Sequence, residues 1–197
     1  NWKIRAEAGK VFNRAWFKIV DAAPAQGTTG RGWDMAATEA EVRGDADWTA
    51  GVKMRRAPDG RVYVLDVIHA RMGPAETDQA MQNTAAQDGH VCRVRWEREG
   101  GSAGKRDQAH LARLLAGYDA RGVPPQGDKV LRAKAFAAQA EAGNVHLVRG
   151  AWNEDYLREL HEFPDGAHDD QVDASSLVFN DLVTSAGAGG QSNYRGR

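Results

Sequence analysis

The order in which the chain changes its periodicity limits its fold more than any other feature. From Thr29 to His69 the residues read as three strands in succession: Thr29 to Ala36, ending at Asp34, then Trp48 to Met54, then Arg61 to His69. Pro58-Asp59-Gly60 supplies the turn between the last two, and the polar stretch from Glu39 to Asp47 joins the first two. After Pro74 the pattern alternates. Helices are expected over Pro74–Gln87, Lys105–Tyr118, Lys129–Ala142 and Asn153–Phe163, separated by short strands at Val91–Trp96, Arg121–Val123 and Val145–Val148. Glycines at 89 and 143 sit just past two of the helix ends, where the left-handed cap conformation favours them. Three antiparallel strands followed by helix-strand alternation predict an α/β fold: a mixed sheet, with parallel strands added after the meander and helices on both faces. Residues 28–184 are expected to form this domain, residues 1–27 an incoming linker that packs on it, and residues 185–197 a flexible tail rich in Gly and Ser.

Composition narrows the class. With 197 residues, 42% hydrophobic and 27% charged, the chain is long enough for one substantial core. A net charge of −1 argues against a strongly basic nucleic-acid binder, although a local basic strip fits inside a neutral total. The single cysteine, Cys92, lies in an apolar stretch, which rules out a disulfide framework and a cysteine zinc cluster. No membrane span or signal-type apolar block is legible. The start at Asn1 rather than Met suggests a piece of a longer polypeptide.

Near the end of the chain, His168-Asp169-Asp170-Gln171-Val172-Asp173-Ala174 places three carboxylates in five residues at the head of an apolar run. Two readings compete. The acids cap a helix and complement its dipole, or they hold a divalent cation, for which hard carboxylate oxygens suit Mg²⁺ or Mn²⁺. Asp34 and Glu97 fall at predicted strand ends, where ligands gather in such sheets, and so could join the cluster. Carboxylates from several separate elements are what a two-metal phosphodiester hydrolase needs, since two ions both activate the attacking water and stabilise the leaving oxygen. Nothing in the chain suggests a nucleophile–histidine–acid triad, and no Gly-x-x-x-x-Gly-Lys-Ser/Thr phosphate loop is present, because Arg106 stands where the hydroxyl should be.

Four segments, in this order and with these gaps, carry a resemblance: RGWDMAAT, WEREGGSAGK, GVPPQGDKVLRAKAFAAQAEAGNVHLV and FPDGAHDDQVDA. From about Phe12 to Val183 the chain resembles the C-terminal nuclease domain of the large terminase subunit of tailed bacteriophages and prophages. The resemblance implies a ribonuclease H-like fold and an acidic cluster binding two Mg²⁺ or Mn²⁺ ions. It further implies cleavage of double-stranded concatemeric viral DNA, with little sequence preference, during genome packaging in the cytoplasm of the bacterial host. By the same resemblance Asp34 bridges the metals, Glu97 is the acid after the central strand, and Asp169, Asp170 and Asp173 close the cluster. Between Asp169 and Asp170 the direct ligand stays open, because one residue is about 100° around a helix. Implied partners are DNA, the ATPase domain of the same polypeptide, the portal and the small terminase subunit. Lys105, Arg106, Lys129 and Arg132 follow candidate turns and are the expected DNA-phosphate contacts. Two other readings share some of these features: a Holliday-junction resolvase or transposase-like nuclease, and a non-catalytic module that docks on the portal or DNA.

Overall fold

The computed structural model describes residues 10–35, 48–98, 100–125 and 127–188. The Glu39–Asp47 turn, Glu99 and the tail beyond Ala188 lie outside these residues. Seven strands form one sheet: β1 (Lys18–Val20), β2 (Thr28–Asp34), β3 (Trp48–Arg56), β4 (Val62–Arg71), β5 (Arg93–Glu97), β6 (Ala120–Val123) and β7 (Val145–Val148), in the order β1-β7-β4-β3-β2-β5-β6. Strands β2, β3 and β4 are the antiparallel meander read from the sequence, and β5, β6, β7 and β1 add in parallel. A short 3₁₀ turn (Arg14–Trp16) precedes β1.

Among the described residues, five helices cover the sheet: α1 (Pro74–Asp88), α2 (Gly101–Leu114), α3 (Lys129–Glu141), α4 (Asn153–Glu162) and α5 (Asp170–Ala188). Two apolar clusters fill the two sides. Trp33, Met81, Val94, Trp96, Leu111 and Leu115 pack under α1 and α2. On the other face Val52, Met54, Val64 and Leu147 meet Phe136, Tyr156, Leu160, Val178 and Phe179 from α3, α4 and α5. Trp33 and Trp96 are 1% and 2% exposed, so both are core residues rather than stacking platforms.

Several boundaries differ from the expectation, each for a local reason. Residues 1–20 lack a clean period, yet Lys18–Val20 pairs with His146–Val148 as the edge strand β1, and Phe12 is buried against Phe136 and Phe163. Residues 12–20 thus bury an aromatic side chain against α3 and add an edge strand to the sheet. Val91 is 88% exposed, and β5 begins only at Arg93, because the chain turns between Gly89 and Cys92. Helix α2 starts four residues early, at Gly101, and ends at Leu114. In β4 the inward alternation runs Val62, Val64, then Val67: a register shift against Lys53/Met54 moves the pattern by one.

The feature that sets the site is the approach of α5 to β2. Gly30 and Gly32 alternate on the α5 face, and a Cβ on Gly32 would lie 2.4 Å from the Ala174 carbonyl oxygen and 3.0 Å from Val178 Cβ. Gly30 likewise faces Val178. Glycine here makes room for a helix backbone, allowing contact that any side chain would prevent. Farther along α5, Asp181 is clasped by Arg95 at 2.9 Å and Arg121 at 2.9 Å, with Arg93 at 3.3 Å. Burial opposes a charge there, but these guanidinium hydrogen bonds hold the Asp181 carboxyl below its ordinary value. Gly32→Ala should therefore cost about 1–3 kcal/mol of unfolding free energy through overpacking. Chemical denaturation measures this, and stability unchanged from the parent would contradict the close approach.

Candidate active site

Side chains alternate along a strand, so Asp34 lies on the same sheet face as Gly30 and Gly32, toward α5. On α5 the residues facing those glycines are Val178 and Ala174, spaced by one turn. One further turn toward the N-terminus is Asp170, which brings it over the end of β2 beside Asp34. Strand β5 runs parallel to β2 with Trp96 opposite Trp33, so Glu97, the next residue, stands alongside Asp34 on the same face. Three elements thus deliver their acids to one edge of the sheet.

The electrostatics confirm the convergence. Asp34 is pushed well above the usual carboxylate range, first by burial and then by repulsion from Asp173, Asp170, Glu97 and Asp169. Asp170 and Asp173 are also raised, chiefly by burial. Two cations lean onto this group from the start of α3. Arg132 lies 3.3 Å from Glu97 and 3.2 Å from Asp173, and Lys129 bonds Asp169, with Asp173 at 3.9 Å. Among the described residues, no three acidic, histidine or cysteine side chains stand in a metal-ligand arrangement; Glu97, Asp169 and Asp173 are turned to these two cations instead.

Lys129, itself exposed, and Arg132 therefore pair with acids, and Lys105 and Arg106 near the start of α2 are also exposed. A lysine in the first turn of a helix is poorly placed against the dipole. Here Asp128 caps α3 by accepting from the Leu131 amide at 2.8 Å, and Asp169 and Asp173 offset the ammonium.

A residue that the sequence does not single out caps the helix that carries the late acids. The first amides of α5 are capped from α4: the buried Glu159 carboxylate accepts from Gln171 N–H at 2.7 Å and Val172 N–H at 3.3 Å. Gln171 Nε2 donates to its second oxygen at 2.5 Å. His69, at the end of β4, adds its Nε2 at 3.8 Å from Glu159, hydrogen-bonds Asp155 through Nδ1 at 2.9 Å, and stacks on Trp48 with centroids 4.3 Å apart. His168 is exposed and tilts against the same indole at 5.7 Å. In the sequence Glu159 and Asp155 look like the solvent face of an amphipathic helix, and nothing local distinguishes them.

A model of the terminase RNaseH-like domain matches residues 31–182. The chain belongs to that family. The match agrees with the resemblance to large-subunit nuclease domains and with the ribonuclease H-like sheet. Solved structures share the fold. The large terminase nuclease of thermophilic phage G20c with bound zinc is 17% identical, covers 86% of this chain and 97% of its own, and superposes with a TM-score of 0.59. The same nuclease with bound magnesium is 14% identical, covers 87% and 96%, and gives a TM-score of 0.60. The human cytomegalovirus terminase nuclease domain, manganese-soaked and inhibitor-bound, is 13% identical over 78% and 82%, with a TM-score of 0.56. No curated protein matches the sequence.

The raised Asp34 carboxyl has a stability consequence. A group that binds its proton more tightly when folded stabilises the fold at low pH, and that contribution is lost as pH rises through its folded value. At neutral pH the crowded acids therefore work against folding. Asp34→Asn should raise the melting temperature of the metal-free protein at pH 7–8, by about 2–4 °C for each kcal/mol of repulsion relieved in a domain of this size. The gain should shrink at pH 4–5. An equal effect at both pH values in scanning calorimetry would contradict the electrostatic origin.

Proposed function

We propose that this domain is a metal-dependent endonuclease that cuts double-stranded concatemeric viral DNA, with little sequence preference, during genome packaging. The observation that carries this is the gathering of Asp34, Glu97, Asp169, Asp170 and Asp173 at one sheet edge, with Asp34 held well above its usual range. Family membership fits that chemistry.

The donor set suits Mg²⁺ or Mn²⁺. All five groups are hard oxygen donors, and the two facing cations, Lys129 and Arg132, leave an excess of negative charge that Asp34 registers. Asp34, Glu97 and Asp170 would hold the ions, with Asp169 and Asp173 as further ligands. Of the adjacent pair, Asp170 is favoured because it shares the Ala174–Val178 stripe facing β2, while Asp169 is engaged by Lys129. A bound pair of divalent cations would supply an activated water and charge neutralisation at the leaving oxygen.

The chain's own residues do the remainder. The rigid edge of β2 and β5 fixes Asp34 and Glu97 side by side, and α5 brings Asp170 across from them. Arg132 and Lys129 offset part of the negative charge of Glu97, Asp169 and Asp173 and are placed to approach a phosphate as the acids turn to other cations. Exposed Lys105 and Arg106 sit after the turn that follows Glu97, where they would hold the DNA backbone. Residues 1–27, which lend β1 to the sheet, would join the domain to the ATPase of the same polypeptide, residues 28–184 would form the rest of the nuclease, and residues 185–197 a tail. The portal and the small terminase subunit are the proposed partners, and the cytoplasm of the infected or lysogenic host is the proposed setting; no helix among the described residues is long and apolar enough to cross a membrane.

Nicking and linearisation of supercoiled plasmid in Mn²⁺ test the reading. Asp34→Ala and Glu97→Ala should reduce cleavage to background with the circular dichroism spectrum unchanged, and chelation should do the same to the parent. Full activity in both variants would sink it. Preferential cutting of a four-way junction over linear duplex would point to a resolvase, and absence of Mn²⁺ binding at millimolar concentration in calorimetry would favour a docking module.

A further inference from the structure

The first turn of α5 carries the acids, yet its own amides are satisfied from outside. In a helix the first four N–H groups lack intrahelical partners, and the usual remedy is a side chain at the position just before the helix. Here that position is Asp169, whose carboxylate is committed to Lys129. The amides of Gln171 and Val172 are met by Glu159, eleven residues before the first residue of α5 and on a different helix.

Glu159 is 6% exposed and accepts three hydrogen bonds, two from backbone and one from the buried Gln171 side chain. A buried carboxylate with that many donors is held in one orientation, and it holds its donors equally. Asp155, one turn earlier on α4, accepts from Gln171 Nε2 at 3.3 Å and from His69, tying the same knot to the end of β4. The knot therefore joins α4, α5 and the sheet directly behind Asp170.

We infer that Glu159 is a positioning residue for the site: by capping α5 across the helix pair, it frees Asp169, Asp170 and Asp173 from capping and fixes the first turn from which they reach Asp34 and Glu97. This rests on the nuclease reading for its functional meaning, but the positioning itself is a property of the metal-free protein. It makes Glu159 important for metal binding without contact with the metal. Residues that orient ligands in this way typically change metal affinity or activity by roughly 10- to 100-fold when replaced.

The test compares Glu159→Gln and Glu159→Asp with the parent and with Leu157→Val, a cavity-forming change on the same helix away from the cap. In metal-free protein, Glu159→Gln should raise amide hydrogen exchange at Gln171 and Val172 about 10-fold or more, while exchange near Leu182 stays within about twofold. Calorimetric Mn²⁺ affinity should fall by roughly 10- to 100-fold in Glu159→Gln. Glu159→Asp, which keeps the charge on a shorter arm, should fall between that variant and the parent, and it carries the same measurements should Glu159→Gln fail to fold. Leu157→Val should leave both readouts near the parent. Unchanged exchange at 171–172, Mn²⁺ affinity within twofold of the parent, or an equal loss in Leu157→Val would overturn the inference. A parent protein that binds no Mn²⁺ would instead overturn the metal-site reading, with the exchange measurement still deciding whether Glu159 sets the first turn.

Discussion

The closeness of one helix to one strand governs this structure. Without side chains at Gly30 and Gly32, the backbone of α5 rests almost directly on β2, and Ala174 and Val178 fill the space that Cβ atoms would take. The distance from helix to sheet then fixes how far Asp170 stands from Asp34, because both are one step beyond a contact that cannot slide. The Asp181 clasp by Arg93, Arg95 and Arg121 secures the other half of the helix against β5 and β6. Packing at one end and ion pairing at the other determine the angle of α5, and the angle determines the site.

That arrangement explains how the protein holds so many carboxylates close together. Each acid sits on an element whose position is set by something other than the acid: Trp33 and Trp96 in the core behind the strand ends, the glycine contact under α5, Glu159 at its cap. Burial first and repulsion second raise Asp34, and neither separates the elements. Strain of this kind persists where the surrounding structure holds it in place, and such places are where function is usually found.

Much of this was legible in the residues. The antiparallel meander, the later parallel strands, the long α3 and the buried tryptophans follow from alternation, turn signals and helix period. Asp34 and Glu97 could be paired with the late acidic cluster because strand ends are where such sheets place ligands. What was not legible is whatever depends on long-range partners. Glu159 has the same local pattern as an exposed helical acid, and its role exists only because α4 ends beside the start of α5. Lys129 and Arg132 read as outward cations, since their helix positions say nothing about which carboxylates lie opposite. Strand β1 is three residues long, and its pairing with β7 is separated from it by more than a hundred residues, too far for any period to reveal.

That short strand has a mechanical meaning. Lys18–Val20 enters the sheet at its edge, and Phe12, a few residues earlier, is locked among Phe17, Phe136 and Phe163. Tension on the chain ahead of this point would pass into the core through aromatic packing and a parallel strand loaded along its length, a geometry in which the hydrogen bonds share the load. Force arriving from the N-terminal side would therefore move the domain as a rigid body, with the acidic edge carried along in fixed orientation.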